Sequence, residues 1–213
     1  MPQPMNEPDY SPAADRNKQA ILDVLLQVLP ARGKALEIAS GTGQHVAWFA
    51  AGLPGWDWQP TDALADGFAS INGWVAQQAM PNVRAPELLD VTAKNWLPAA
   101  GRTPYQQAPL FDVIYCANML HIAPWATCEA LMRGSARYLA PSGQLVTYGP
   151  YLEDSVPTSS GNLEFDHSLK ERNSAWGLRR LEDVEAEAAT AGLKLHARCA
   201  MPANNLLLVW SRY

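Results

Sequence analysis

Two carboxylates and a glycine turn carry the first chemical signal in this chain. Ala35, Leu36 and Ile38 read as a short buried strand that also holds Glu37; Ser40 to Gly43 read as a tight turn, and a helix opens at Gln44. A strand, a glycine turn and a helix turn unpaired N–H groups and the positive end of the helix dipole toward a ligand. Gly41 and Gly43 let the backbone approach that ligand with no Cβ in the way. Asp62 ends the next β-like run, Trp56 to Pro60 with Thr61, about 20 residues beyond the turn, where an acid takes ribose hydroxyls in nucleotide folds. Asp62 also suits the cap of a helix over 64–79. The chemistry indicated is recognition of a nucleoside, with a second acid beside it.

The dinucleotide fingerprint needs a third glycine to pack its helix on its strand. Counted from Gly41 and Gly43 that position is Val46, and counted from Ala39 and Gly41 it is Gln44; neither frame fits. An acid before the turn opposes a pyrophosphate and suits an amino group. S-adenosyl-L-methionine carries an ammonium, a carboxylate and a sulfonium, and no phosphate. Glu37 to Gly43 resembles motif I of the class I S-adenosylmethionine-dependent methyltransferases, Glu/Asp-x-Gly-x-Gly-x-Gly, with Ala39 in place of the first glycine. The plainer alternative is an ordinary strand–turn–helix corner. The resemblance implies cofactor contacts from Glu37, Ala39, Ser40, Gly41, Gly43, His45, Asp62 and Ala63. It also implies that Asp90 takes the exocyclic amine of adenine while Val91 packs on the ring, although Asp90 equally fits a cap for 92–97.

A second set follows the clear strand Phe111 to Cys116. Ligands of open α/β sheets sit outside the carboxyl ends of the strands, so Asn118 and Met119 are expected at the cofactor, and His121 at cofactor or substrate. Methyl transfer from a sulfonium is an in-line displacement whose leaving group is already activated, so alignment and exclusion of water carry most of the work. A thiol, amine or hydroxyl acceptor must also lose a proton, and His121, Tyr148 and Tyr10 are the candidates for taking it. An imidazole with its ordinary pKa is largely neutral at neutral pH; the alternative for His121 is a structural hydrogen bond. Arg16 and Asn17 are expected at an arm–helix junction, where an arginine suits a substrate carboxylate or phosphate, or simply a surface salt bridge. Asn162 and Arg172 fall in the irregular stretch Tyr151 to Trp176. It reads either as a lid with a short helix over Asn162 to Arg172 or as a surface excursion. Asn204 and Asn205 read as turn residues.

The elements that must position these groups alternate along the chain. Helices are expected over Asn17 to Leu29, Gln44 to Ala51, 64–79, Pro124 to Leu139 and Leu181 to Ala191. Strands are expected at Ala35 to Ile38, Trp56 to Pro60, Asn82 to Leu89, Phe111 to Cys116, Gln144 to Tyr148, Lys194 to Ala200 and Leu206 to Trp210. The last two are joined by a turn too short for a crossover helix, which forces an antiparallel pair. The expected fold is α/β: a Rossmann-like class I methyltransferase fold with a mostly parallel seven-stranded sheet, an antiparallel last strand and helices on both faces. Three segments narrow the resemblance: Ser11 to Asn17, Asn162 to Arg179, and Met201 to Asn205. Together they resemble the small methyltransferase-like family whose human member is numbered twenty-six. One methyltransferase-like domain is expected over 1–213, with an N-terminal arm over 1–17 and a substrate segment or lid over 151–177.

Composition bounds the rest. The chain has 213 residues, 48% of them hydrophobic, enough for a substantial core. Net charge is −5 with 16 Lys+Arg and no basic run, which disfavours a nucleic-acid partner. The three cysteines, Cys116, Cys128 and Cys199, are widely spaced with no CxxC, so neither a disulfide framework nor a metal site is indicated, and a cytoplasmic location is expected. Met1 to Ser11 lacks the apolar core of a signal peptide, and no run is long enough to span a membrane. The expected partner is a small-molecule substrate; the oligomeric state is not legible. Two further functions compete: a non-catalytic S-adenosylmethionine-binding or scaffold protein, and an NAD-dependent oxidoreductase, which Val46 and the lack of a Tyr-x-x-x-Lys pair weaken.

Overall fold

The computed structural model describes residues 7–97 and 110–213. The start of the expected arm and the expected loop over 98–109 lie outside the described residues. The chain divides into two compact units, Met1–Asp90 and Val91–Tyr213.

In the first unit, helix α1 runs Pro12–Val28 and buries Ile21, Leu22 and Leu25. It begins well before the expected Asn17, because Ser11 caps it by accepting from the Ala14 N–H and Pro12 sits at its first position, where no N–H is needed. Arg16 and Asn17 are therefore inside the helix and not at an arm–helix junction. Strand β1 (Gly33–Ile38) pairs in parallel with β2 (Trp56–Asp62), in register from Gly33↔Trp56 to Glu37↔Pro60. Helix α2 (Gln44–Gly52) connects them. Helix α3 (Phe68–Gln78) starts later than expected, at the N-cap Gly67, so Asp62 is not its cap. Strand β3 shrinks to Glu87–Leu88, parallel to the end of β2, preceded only by a Trp58–Val83 bridge. Pro81 and Pro86 have no N–H to give a ladder, which is why the expected run from Asn82 does not form. Phe49, Trp56, Trp58 and Ile71 fill the core of this unit.

In the second unit, β4 (Phe111–Ala117) pairs in parallel with β5 (Leu139–Leu152), with helix α4 (Trp125–Tyr138) between them. Strand β5 extends past the expected Gln144 to Tyr148 at both ends; a register shift absorbs Pro141-Ser142-Gly143. Its far end pairs with β6 (Arg179–Arg180), so Tyr151 and Leu152 are strand and not loop. This two-residue β6 is additional to the seven strands expected. Helix α5 (Ser160–Arg172), capped by Ser159, covers the short helix expected inside the 151–177 segment. After helix α6 (Leu181–Thr190), β7 (Leu193–Met201) and β8 (Asn205–Arg212) form an antiparallel hairpin, and β8 also runs antiparallel to β5. The fold is thus mixed α/β, with a mostly parallel sheet and antiparallel C-terminal strands. Trp210 is fully buried in its core. Among the described residues no helix is long and apolar enough to cross a membrane.

Candidate functional site

The first unit builds a cradle at the carboxyl ends of β1 and β2. Leaving β1, the backbone turns left-handed at Ala39 (φ 55°), Gly41 (φ 54°) and Gly43 (φ 84°). Ala39 therefore takes the backbone shape for which a glycine would be ideal, at a cost of about 1 kcal/mol. The two glycines do different jobs. A Cβ on Gly41 would meet nothing within 4 Å, so its face is open. A Cβ on Gly43 would lie 2.8 Å from the Ile71 Cα, so Gly43 also serves close packing of α3. Gly67 has the same role: a Cβ there would sit 2.3 Å from the Gly41 carbonyl oxygen.

The turn is tied to β2 by hydrogen bonds. Ser40 N donates to Thr61 O at 2.9 Å, and Thr61 N donates to the Ser40 hydroxyl at 3.1 Å. Thr61 Oγ1 donates to the Glu37 carbonyl at 2.6 Å. Gly41 N donates to Asp62 Oδ2 at 3.0 Å, and Leu64 N donates to Asp62 Oδ1 at 3.3 Å. Two backbone donors thus hold the Asp62 carboxylate, and each of its oxygens keeps a lone pair for a hydroxyl. Beside it, Glu37 is 1% exposed, with Ser40 as a hydrogen-bond partner and Oε2 buried with none. Burial pushes the Glu37 carboxyl up to about 8; the negative Asp62 adds to the rise and the Ser40 bond opposes it. The N-terminus of α2 has no side-chain cap. The cradle therefore offers an unpartnered buried acid, a held carboxylate and a positive helix end.

His45 is buried beside this turn, but its ring is committed: Nε2 meets Asn17 Oδ1 at 2.7 Å and the ring stacks on Phe49 at 5.2 Å. Burial lowers its pKa to about 4, with Lys18 adding. This pair binds α1 to α2, so neither His45 nor Asn17 presents a free side chain. Arg16 is exposed. Tyr10 is 61% exposed and hydrogen-bonded to Asp15, which raises its hydroxyl pKa. Ala63 and Asp90 are exposed at the ends of their segments. Asp9, Ser11, Ser70, Gln44 and Trp74 form contacts the sequence did not suggest. Asp9 N donates to Ser70 Oγ at 2.8 Å, Ser70 Oγ donates to Thr42 O at 2.7 Å, Trp74 Nε1 donates to Asp9 O at 3.3 Å, and Ser11 N donates to Gln44 Oε1. They strap residues 9–11 onto α2 and α3.

The second unit holds its candidates more tightly. Asn118 is left-handed (φ 59°), its N–H donating to Tyr148 O at 2.8 Å, and Met119 is half-buried beside it. Val91 is buried, and Tyr148 is 4% exposed within β5. His121 is 6% exposed, edge-on to Phe165 at 5.5 Å, and its carbonyl accepts from Gly177 N at 2.9 Å. Burial lowers its pKa to about 4, with Arg179 adding. In the sequence Arg179 stands out only as the end of the segment Asn162 to Arg179. It in fact donates to the carbonyls of Leu120, Ala123 and Ala175, pinning the His121 loop to the segment before β6. Asn162 Nδ2 donates to Asn204 O at 2.9 Å, so Asn162 anchors α5 to the β7–β8 turn. Arg172 is exposed, with its guanidinium over Trp176. Among the described residues, no group of three or more His, Cys, Asp or Glu side chains is placed to hold a metal ion.

Comparison with known proteins follows these lines. Residues 8–212 match the family model described as "Protein of unknown function (DUF938)". Among solved structures, TnmH is similar at 19% identity, TM-score 0.74, over 94% of this chain and 56% of that one. An O-methyltransferase family protein from Burkholderia thailandensis matches at 18% identity, TM-score 0.74, over 94% and 57%. CalO1, a methyltransferase in calicheamicin biosynthesis crystallised in an SAH-bound form, matches at 15% identity, TM-score 0.72, over 94% and 55%. The chain therefore spans little more than half the length of these proteins, and at such identities the likeness establishes a shared fold.

Proposed function

The chain belongs to the DUF938 family, and we propose that it is an S-adenosyl-L-methionine-dependent methyltransferase acting on a small-molecule acceptor by in-line transfer. The observation that carries this reading is the pairing of Glu37 and Asp62 at the ends of neighbouring parallel strands, with an unpartnered Glu37 oxygen buried between turn and sheet. The fit to the cofactor rests on complementary chemistry. Glu37 suits the ammonium, the uncapped start of α2 suits the carboxylate, and Asp62 suits the ribose hydroxyls. A dinucleotide would instead bring two phosphates beside two acids. Ala39, Ser40, Gly41 and Gly43 shape the floor, His45 and Ala63 flank it, and Asp90, Val91, Asn118 and Met119 are assigned the rest of the cofactor set. When bound, the cofactor supplies an activated methyl group. CalO1, with its SAH-bound form, supports this ligand for the shared fold.

The proposal treats 1–213 as one methyltransferase-like domain, with the residues ahead of α1 as arm and 151–177 as substrate segment. The resemblance to the methyltransferase-like family numbered twenty-six belongs to it. Acceptor handling is assigned to His121, Tyr148 and Tyr10, with Arg16, Asn17, Asn162 and Arg172 as substrate contacts. An imidazole held near 4 is unprotonated at neutral pH yet gains little by taking a proton. His121 therefore orients an acceptor better than it deprotonates one. That none of the three cysteines forms a disulfide supports a cytoplasmic location.

A non-catalytic adenosyl-binding role is the second reading. The bound state of Asn17, His45 and Asn162 favours it, since these candidates already serve the fold. Calorimetry with S-adenosylmethionine and with NAD tests the cofactor assignment: binding of the first and not the second is expected, and the reverse would overturn it. Release of S-adenosylhomocysteine in an acceptor screen with labelled cofactor separates enzyme from binding protein.

A further inference from the structure

A fully buried carboxyl with one oxygen lacking any partner is an unusual thing to leave inside a ligand-free protein, because an uncompensated buried charge is costly. Glu37 is in that position: 1% exposed, Oε2 unpartnered, and Ser40 as a hydrogen-bond partner of the group. Its charged surroundings make matters worse for a carboxylate. Asp62, on β2, is the charge that acts on it. The cations of the neighbouring helices are engaged elsewhere among the described residues. Lys18 on α1 pairs with Asp15 at 2.5 Å and lies over the Trp48 ring, and His45 on α2 is neutral and bonded to Asn17. Among the described residues no cation is placed to neutralise Glu37, so the positive charge must come with a ligand or the group must stay protonated.

We infer that Glu37 binds its ligand by proton exchange: neutral in the free protein, it releases its proton to solvent as a cationic amino group docks on Oε2, so that the site selects adenosyl ligands bearing an ammonium. This rests on the proposed cofactor reading and adds to it the charge state of the site. The balance is simple. The carboxylic O–H breaks, the proton leaves to buffer, and an ammonium–carboxylate pair replaces it with no net change of charge inside the cradle. With the group near 8, about nine-tenths of the molecules carry the proton at pH 7. The same coupling makes affinity for an ammonium ligand rise about tenfold per pH unit below the pKa of Glu37 and level off above it. A ligand with no amino group has no such dependence.

Calorimetry on the full chain in two buffers of different ionisation enthalpy reads the protons exchanged. S-adenosylhomocysteine, which keeps the ammonium, is expected to release about 0.9 proton at pH 7 and progressively less as pH rises through 8, with uptake taking over where the ligand's own amino group is neutral in solution. Methylthioadenosine, which lacks the amino acid, is expected to release none. Glu37→Gln keeps the shape and removes the titration, so it should bind S-adenosylhomocysteine more weakly, with no proton released and with affinity flat between pH 6 and 9. A carbon-13 titration of the ligand-free protein gives an independent reading, with one glutamate carboxyl expected to titrate near 8. Binding of S-adenosylhomocysteine with no proton released, or release undiminished in Glu37→Gln, overturns the inference while leaving the cofactor assignment standing. Failure of every adenosyl ligand to bind overturns the cofactor assignment and this inference together.

Discussion

The turn after β1 and the loop after β4 sit at equivalent points of a strand-to-helix connection, and they are finished differently. After β1 the chain leaves functional groups unsatisfied: Glu37 Oε2 has no partner, the face of Gly41 is open and α2 has no side-chain cap. After β4 the chain satisfies its own groups, with Arg179 on three carbonyls, Gly177 on the His121 carbonyl and Phe165 against the His121 ring. Buried polar groups are normally paired within the protein, and Glu37 Oε2 is, with Trp58 Nε1, Ser135 Oγ and Glu182 Oε2, without a partner among the described residues. Of these, Glu37 stands at the turn whose Gly41 face is open. The second loop is held rigid by its own hydrogen bonds.

The sharpest way to break this contrast is Gly43→Val. The new side chain would drive into the Ile71 backbone at a φ of 84°. A loss of roughly 4 kcal/mol in denaturant unfolding is expected, with adenosyl binding lost alongside. Survival of both would remove the packing role given to this glycine.

The next effect concerns pH. Glu37, near 8 when folded against an ordinary 4.5, holds a proton that the unfolded chain has given up, so its contribution is fully present below about 4.5 and is lost as pH rises through 8. The slope it imposes is at most about 1.4 kcal/mol per pH unit, and Glu37→Gln should flatten the fall in stability between about pH 5 and 8. His45 and His121 act oppositely. Lowered from 6.5 to about 4, they stabilise the fold fully above 6.5 and withdraw that support as pH falls toward 4. A stability slope between about pH 5 and 8 that Glu37→Gln leaves unchanged would show the carboxyl to be ionised in the free protein over that range.

Arg179→Ala tests the other loop. Removing donors from three carbonyls should cost about 2 kcal/mol of stability while leaving the affinity for S-adenosylhomocysteine within about twofold. A collapse in affinity at preserved stability would contradict the separation of ligand chemistry from loop support. The smallest effect is expected at Ala39→Gly. Relief of the left-handed backbone and the added freedom of the unfolded chain nearly cancel, leaving a change below about 1 kcal/mol.

Much of the cradle was legible in order along the chain. Glu37, the Ser40–Gly43 turn, the start of α2 at Gln44 and Asp62 after β2 all follow from periodicity and glycine placement, which are local properties. The misreadings came where two segments compete for the same backbone groups. Helix α1 captured Pro12 to Arg16 because Ser11 and Pro12 form a better start than the apolar periodicity alone suggested. Strand β5 ran on to Leu152 because Arg179–Arg180 supplies it a partner far along the chain. The partners of Asn17 and Asn162, His45 and Asn204, are likewise named by no local pattern, and the proposed substrate contacts of the two asparagines stand beside these hydrogen bonds.

The sequence by itself determined the alternation of strands and helices, the antiparallel final hairpin and the acid–glycine–acid order of the cradle. Each of these depends on neighbours in the chain or on a spacing that the backbone imposes. Only the tertiary structure decided which polar groups were left over. Gly41 and Gly43 are the same residue type two positions apart, yet one faces open space and the other faces Ile71. Glu37 has Ser40 as a hydrogen-bond partner while its Oε2 has none, a difference set by what packs around it in space. Satisfaction of hydrogen bonds and charge is a property of the packed volume, and the linear order of residues does not contain it.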